Sequence, residues 1–225
     1  MAKIKYLGHA GFQVEVDNKV LLFDPWIDGN PKSPLKSSDE IKRADFVFVS
    51  HDHADHGLPE AVKFSKKLGA TFVGMFDLVE KVKKQGVEKA ADGNIGGLFD
   101  VDGLKVALTE ATHSCDVSSP CGFIVKTSKL TFYHAGDTGL MEEMKQIGEL
   151  YKPDIAFLPI GSRYTMGPKE AAEAVKLLRP KLVIPMHYAT FPILVQDAKE
   201  FFEAVGKNAE VKALTPGEEI VYSHE

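Results

Sequence analysis

Apolar and polar positions alternate with period two at the start of the chain. Lys3-Ile4-Lys5-Tyr6-Leu7 and Phe12-Gln13-Val14-Glu15-Val16 therefore read as strands, separated by Gly8-His9-Ala10-Gly11. Asp17-Asn18 is a turn signal, and Lys19-Val20-Leu21-Leu22-Phe23-Asp24 is a third strand. The three form an antiparallel meander that ends on Asp24-Pro25. The stretch from Asp28 to Asp39 is rich in Gly, Pro, Ser and Asn and reads as a loop. Ala44 to Ser50 is a near-continuous apolar run, as expected of a strand covered on both faces. Helical spacing follows from Leu58 to Leu68 and stops at Gly69. A short strand, Thr71 to Gly74, precedes a helix from Phe76 to Lys84, and residues 92–97 read as a loop.

The second half begins again with strands. Leu98 to Val101 leads through Asp102-Gly103, a hairpin signal, into Leu104 to Ala111. Gly122 to Lys126 and Lys129 to His134 pair across Thr127-Ser128. Helices are predicted at about Leu140–Leu150, Pro168–Leu178 and Val195–Val205, the second starting with Thr165 near its N-cap and Pro168 in its first turn. Strands Asp154 to Leu158 and Lys181 to Pro185 lie between these helices, and a final hairpin runs from Val211 to Tyr222. Strands followed by strand–helix units, twice over, predict an α/β protein. Two similar αβ halves would pack face to face with helices outside, as a four-layer αβ/βα sandwich in a single domain, residues 1–225.

Composition narrows the function. At 225 residues, 44% hydrophobic and 26% charged, the chain is an ordinary globular domain. Its net charge is −5 and its lysine runs fall on helical patterns, so it lacks the basic stripe of a nucleic-acid binder. Two cysteines, Cys115 and Cys121, cannot build a disulfide framework and suit a reducing compartment. Whether they pair, face a pocket near His113 or are small buried thiols is open. There is no apolar leader at the N-terminus and no run of roughly 18 apolar residues, so the expected location is cytoplasmic, without a membrane partner. A homo-oligomer is compatible with the pattern.

The chemistry concentrates in Ser50-His51-Asp52-His53-Ala54-Asp55-His56-Gly57. Three imidazoles and two carboxylates lie within six residues. Such groups are costly to bury unless something pairs with them, and a transition metal suits imidazole and carboxylate together. Further metal-compatible residues fall just past predicted strand ends: Asp24, His113, Asp137 and His187. Sites in α/β sheets form outside the carboxyl ends of strands, so these residues are expected to converge. His51, His53 and His113 can make one open site, Asp55, His56 and His187 a second, and Asp137 can bridge them. Asp52 alternates with its neighbours and should point away. His9 either lines the pocket or is a turn histidine, His134 belongs to the core or stands behind the ligands, and terminal His224 is solvated. Arg163 and Tyr164 follow a strand end and are candidates to contact a substrate phosphate or carboxylate; a plain surface loop is the competing reading.

The pattern His51-x-His53-x-Asp55-His56, with His113, Asp137 and His187, resembles the binuclear metal signature of the metallo-β-lactamase superfamily. Leu7-Gly8-His9-Ala10, His134-Ala135-Gly136-Asp137-Thr138-Gly139, Phe157-Leu158-Pro159-Ile160-Gly161 and Pro185-Met186-His187-Tyr188 are similar to a smaller group, the metal-dependent hydrolases related to ascorbate-6-phosphate lactonases. Ser162-Arg163-Tyr164 departs from it, standing where smaller or His-containing residues are expected. The resemblance implies two divalent ions that activate a hydroxide, with Zn2+ favoured by the ligands and Mn2+, Fe2+ or Ni2+ compatible. It implies hydrolysis of a small-molecule substrate, an ester, lactone or phosphorylated metabolite, with Asp55 and Asp137 in catalytic roles. Asp24 then holds a cluster histidine in its tautomer. The competing readings are a phosphodiesterase or nuclease on the same fold, a diiron oxidoreductase, and a metal-binding protein without hydrolytic activity.

Overall fold

The computed structural model describes residues 1–223, and His224 lies outside them. The chain divides into two compact units. The first comprises residues 1–96, 115–119 and the C-terminal segment from Thr215; the second comprises 97–114 and 120–214.

The first unit contains β1 (Ala2–Gly8), β2 (Gly11–Val16), β3 (Lys19–Phe23), β4 (Phe46–Phe48), α1 (Leu58–Leu68), β5 (Thr71–Met75), α2 (Phe76–Lys83) and β6 (Ala90–Gly93). The last strand of the chain, β14 (Glu219–Tyr222), joins it. The sheet order is β14-β1-β2-β3-β4-β5-β6. Pairing is antiparallel from β14 to β3 and parallel from β3 to β6. One face carries Leu22, Val47, Val49 and Phe72 into a core with Phe64 of α1 and Leu78, Val79 and Val82 of α2. Residues of the other face, among them Leu21, Phe23, Phe48 and Val73, are fully buried too. This explains why the β4 segment reads as a continuous apolar run rather than an alternating one.

The second unit contains β7 (Phe99–Val101), β8 (Leu104–Glu110), β9 (Cys121–Lys126), β10 (Thr131–His134), α3 (Glu143–Tyr151), β11 (Ile155–Pro159), α4 (Pro168–Leu178), β12 (Leu182–Met186), α5 (Lys199–Val205) and β13 (Glu210–Val211). The order is β13-β12-β11-β10-β9-β8-β7, antiparallel from β7 to β10 and parallel from β10 to β13. Ala156, Leu158 and Val183 pack with Met144, Val175, Leu178 and Phe201 of the three helices. Among the described residues, no helix is long and apolar enough to cross a membrane.

Several expected elements are corrected. The hairpin from Val211 to Tyr222 does not form: β13 adds to β12 in the second unit, whereas β14 pairs with β1 in the first. Two short amphipathic strands with a turn between them look like a hairpin locally, and only the available sheet edges separate them. Residues 90–93, in part expected as loop, form an edge strand on β5 although Ala-Ala-Asp-Gly has low β propensity. The last helix starts at Lys199, not Val195. The Val195 N–H is taken by the Gly161 carbonyl (3.0 Å), and Asp197 Oδ1 accepts the Lys199 N–H (2.9 Å). At α4 the N-cap itself is Gly167, with Thr165 just ahead of it; Glu170 Oε2 accepts the Gly167 N–H at 3.1 Å, and Pro168 opens the helix as expected. The strand expected from Ala44 to Ser50 keeps only Phe46–Phe48, because the Ser50 N–H leaves the ladder for the Asp24 carboxylate.

Candidate metal centre

In the first unit the chain leaves β3 at Asp24, a residue with φ +39° and no exposed surface. Its Oδ1 accepts the Ser50 backbone N–H at 2.7 Å. Its Oδ2 accepts the Ser50 hydroxyl at 2.7 Å and His56 Nδ1 at 2.9 Å. The Ser50 hydroxyl in turn lies 2.9 Å from His51 Nδ1. Since Ser50 Oγ gives its proton to Asp24, it accepts from His51. This hydrogen-bond logic assigns the proton to Nδ1 in both imidazoles, so Nε2 is the ligand atom each can offer.

Those atoms converge on others. His51 Nε2 lies 3.0 Å from His53 Nδ1. His56 Nε2 lies 4.0 Å from Asp55 Oδ1, and Asp55 Oδ2 lies 3.2 Å from His9 Nε2. The ligand atoms of His9, Asp55 and His56 all fall within 4.8 Å of one another. Nitrogen acceptors and a carboxylate brought this close are a donor set for a divalent transition metal, and the residues present fit one. His9 is completely buried at φ +59°, its carbonyl accepts the Tyr6 hydroxyl at 2.8 Å, and its ring meets Trp26 edge-on. Of its two expected roles, the structure places it against the acidic member of the cluster.

The close approach behind this arrangement depends on Gly57. It has φ +70°, and a Cβ there would lie 2.4 Å from the Pro25 carbonyl carbon. Gly57→Ala is expected to lose about 2–4 kcal/mol of stability, from left-handed strain and overpacking together. Urea unfolding of the variant measures it, and an unchanged midpoint would refute the close-contact explanation. Glu60 in the first turn of α1 secures the same loop: its Oε1 accepts the N–H groups of Ile27 (3.0 Å) and Asp28 (2.9 Å).

In the second unit three residues stand past strand ends. His113 follows β8, Asp137 follows β10, and His187 follows β12 at φ +56°. Asp137 Oδ2 lies 3.1 Å from His187 Nε2 and 3.5 Å from His113 Nε2. A single carboxylate oxygen thus faces two imidazole nitrogens. The Asp137 turn is fastened to the His113 segment: Thr112 N–H donates to Thr138 Oγ1 (3.0 Å) and Gly139 N–H to the Thr112 carbonyl (3.1 Å). At Gly161 a Cβ would lie 2.1 Å from the His187 carbonyl oxygen, so this position admits no side chain.

Other candidates sit elsewhere. Asp52 points away from its neighbours, as alternation predicts, and binds Lys81 Nζ at 3.0 Å. Burial alone would raise its carboxyl pKa, but Lys81 and the N–H groups of Val117 and Asp116 hold it below the usual carboxylate value. His134 is buried in β10, where Nδ1 accepts the Gly136 N–H at 3.2 Å. Arg163 and Tyr164 stand exposed on their turn, the guanidinium 5.6 Å from the ring centroid. Cys115 and Cys121 are both free thiols, the first half-buried in a loop and the second buried in β9. Sequence reasoning assigned no role to Ser50 or Glu60. Ser50 had a signal, a hydroxyl directly before the cluster on a strand adjacent to one ending in Asp. Glu60 had none beyond its place in a first helical turn.

The beta-lactamase superfamily domain matches residues 3–187. A UPF0173 metal-dependent hydrolase of Korarchaeum cryptofilum is 47% identical over 97% of this chain and 98% of its own length. A second from Methanopyrus kandleri, MK1542, is 47% identical over 96% of this chain and 98% of its own. The solved structure of Igni18, a metallo hydrolase from Ignicoccus hospitalis, superposes with a TM-score of 0.94 at 40% identity, covering 100% of this chain and 99% of that one. Strand-end histidines and carboxylates, the fold and these relatives agree: the chain belongs to the β-lactamase superfamily and, within it, to the UPF0173 metal-dependent hydrolases.

Proposed function

We propose that this chain hydrolyses a small ester, lactone or phosphorylated metabolite at a binuclear metal centre. His51, His53 and His113 would hold one ion, Asp55, His56 and His187 the other, and Asp137 would bridge them. The observation that carries this reading is the Asp137 carboxylate oxygen set between the Nε2 atoms of His113 and His187. A bridging ligand needs that placement. Divalent ions, when bound, polarise a carbonyl or phosphoryl oxygen and bring the pKa of water to about 7.

The chain's own residues do the rest. Asp24 and Ser50 keep His51 and His56 in the tautomer that can coordinate. Asp55 has one oxygen on His9 and the other toward His56, and its side chain is 29% exposed, so it can take a proton from an attacking water. His9 limits the rotation of that carboxylate. Zn2+ suits the histidine-rich set, and Mn2+, Fe2+ and Ni2+ are compatible. Lactones belong to the substrate class, in line with the resemblance to the ascorbate-6-phosphate lactonase group. A cytoplasmic enzyme acting on a soluble metabolite completes the reading.

Metal analysis of the purified protein, with a panel of ester, lactone, thioester and phosphodiester substrates, tests it. About two equivalents of metal and chelator-sensitive hydrolysis of an ester or lactone are expected. Full metal content with no hydrolysis would instead favour a metal-binding protein, and cleavage of phosphodiesters alone would favour the nuclease reading.

A further inference from the structure

Asp52 lies between two cluster histidines in sequence, yet its carboxylate serves a different segment. Oδ1 accepts the N–H of Asp116 at 3.0 Å and that of Val117 at 3.3 Å. Oδ2 pairs with Lys81 Nζ at 3.0 Å. The Asp52 side chain is 2% exposed, so these bonds are largely shielded from water. Residues 114–119 have no regular structure of their own, and Ser118 sits at φ +82°. Within the loop, Cys115 Sγ donates to the Ser118 carbonyl at 2.8 Å. The segment Cys115–Ser119 groups with the first unit, although the chain on either side of it groups with the second.

We propose that Asp52 is a positioning residue, which fixes the loop directly after His113 and so governs substrate entry and selectivity. Two successive backbone N–H groups on one carboxylate oxygen pin the orientation of both peptide planes. A surface loop with few backbone hydrogen bonds otherwise opens at little free-energy cost. The bonds are charge-assisted, hence among the stronger ones available. Lys81 is 39% exposed and adds little by itself. The part concerning substrate rests on the hydrolase reading above; the part concerning the loop does not.

Cys115 reports on the loop directly, because Cys121 is fully buried. In the full-length, metal-loaded protein, two rates are compared for wild type, Asp52→Ala, Asp52→Asn and Lys81→Met. One is modification of Cys115 by a small aromatic disulfide reagent; the other is hydrogen exchange at the Asp116 and Val117 amides. Both are expected to rise roughly tenfold to hundredfold in Asp52→Ala, the range for losing a hydrogen bond to a charged group, and less in Asp52→Asn. Lys81→Met keeps the carboxylate and its two backbone bonds, so its rates stay within about fivefold of wild type. KM for a chromogenic ester rises with the loop rates, while kcat falls by a smaller factor and metal content is retained.

Unchanged loop rates in folded Asp52→Ala, or in Asp52→Asn should the alanine variant fail to fold, overturn the proposal. So does Lys81→Met opening the loop as far as the Asp52 variants do. Faster loop rates with an unchanged KM overturn the role in substrate selection. A wild-type protein inert toward every ester and lactone sinks the hydrolase reading instead, and the two loop rates still decide the clamp.

Discussion

Asp137→Ala is expected to lower kcat/KM for an ester or lactone by at least about 10³-fold, on the order of 4 kcal/mol of transition-state stabilisation. Bound metal should fall by one equivalent or more. The reason is geometric: one oxygen of this buried carboxylate faces His113 Nε2 and His187 Nε2, at 3.5 and 3.1 Å. Truncation removes the negative charge that both proposed ions would share at this oxygen. Asp137→Asn separates charge from shape, because it keeps an oxygen acceptor and loses the anion. It should retain the fold and still lose metal. Parallel measurement of metal stoichiometry and turnover checks both variants. Wild-type activity with full metal content in either would sink the bridging assignment.

Asp24→Ala produces the second large effect, and stability shows it first. The carboxylate is wholly buried and accepts from the Ser50 amide, the Ser50 hydroxyl and His56 Nδ1. Truncation leaves these donors without their acceptor in a shielded place. A loss of about 3–5 kcal/mol is expected, typical of breaking a buried polar network by removing one partner. Metal affinity should also drop by roughly 10–100-fold, because His51 and His56 are no longer held to one tautomer. Ser50→Ala should be milder: it removes the acceptor for His51 but leaves the direct bond between Asp24 and His56. Urea unfolding and competitive metal titration provide the two readouts. An Asp24→Ala protein as stable as wild type, with undiminished affinity, would contradict the hub that Asp24 and Ser50 form.

How much of this was readable from the sequence differs by element. The Leu58–Leu68 helix matches its reading at both ends, because its start follows Gly57 and Gly69 stops it. The early meander also matches, since its alternation and Asp17-Asn18 turn are local signals. Failures came where a backbone group found a partner distant in sequence. Val195 left its expected helix for the Gly161 carbonyl, and Ser50 left its strand for Asp24. Residues 90–93 became a strand because β5 offered them an edge, not because of their composition.

The sequence by itself determined the kind of chemistry. The cluster from His51 to His56, and the further acids and imidazoles just past predicted strand ends, follow from residue type and period alone. Both are local properties, and the rule that sites form at the carboxyl ends of strands turns them into an expectation of convergence. Tertiary structure alone decided which nitrogen of His51 and His56 bonds to the Ser50–Asp24 pair, because Asp24 and Ser50 are fixed there by chain pairing between β3 and β4. It alone also placed His9 on Asp55, set Asp52 against the Asp116–Val117 backbone, and sent β13 and β14 to different sheets. Each of these is a pairing between residues far apart in the chain. Local propensity carries no information about such pairs; packing and the need to satisfy buried polar groups select them.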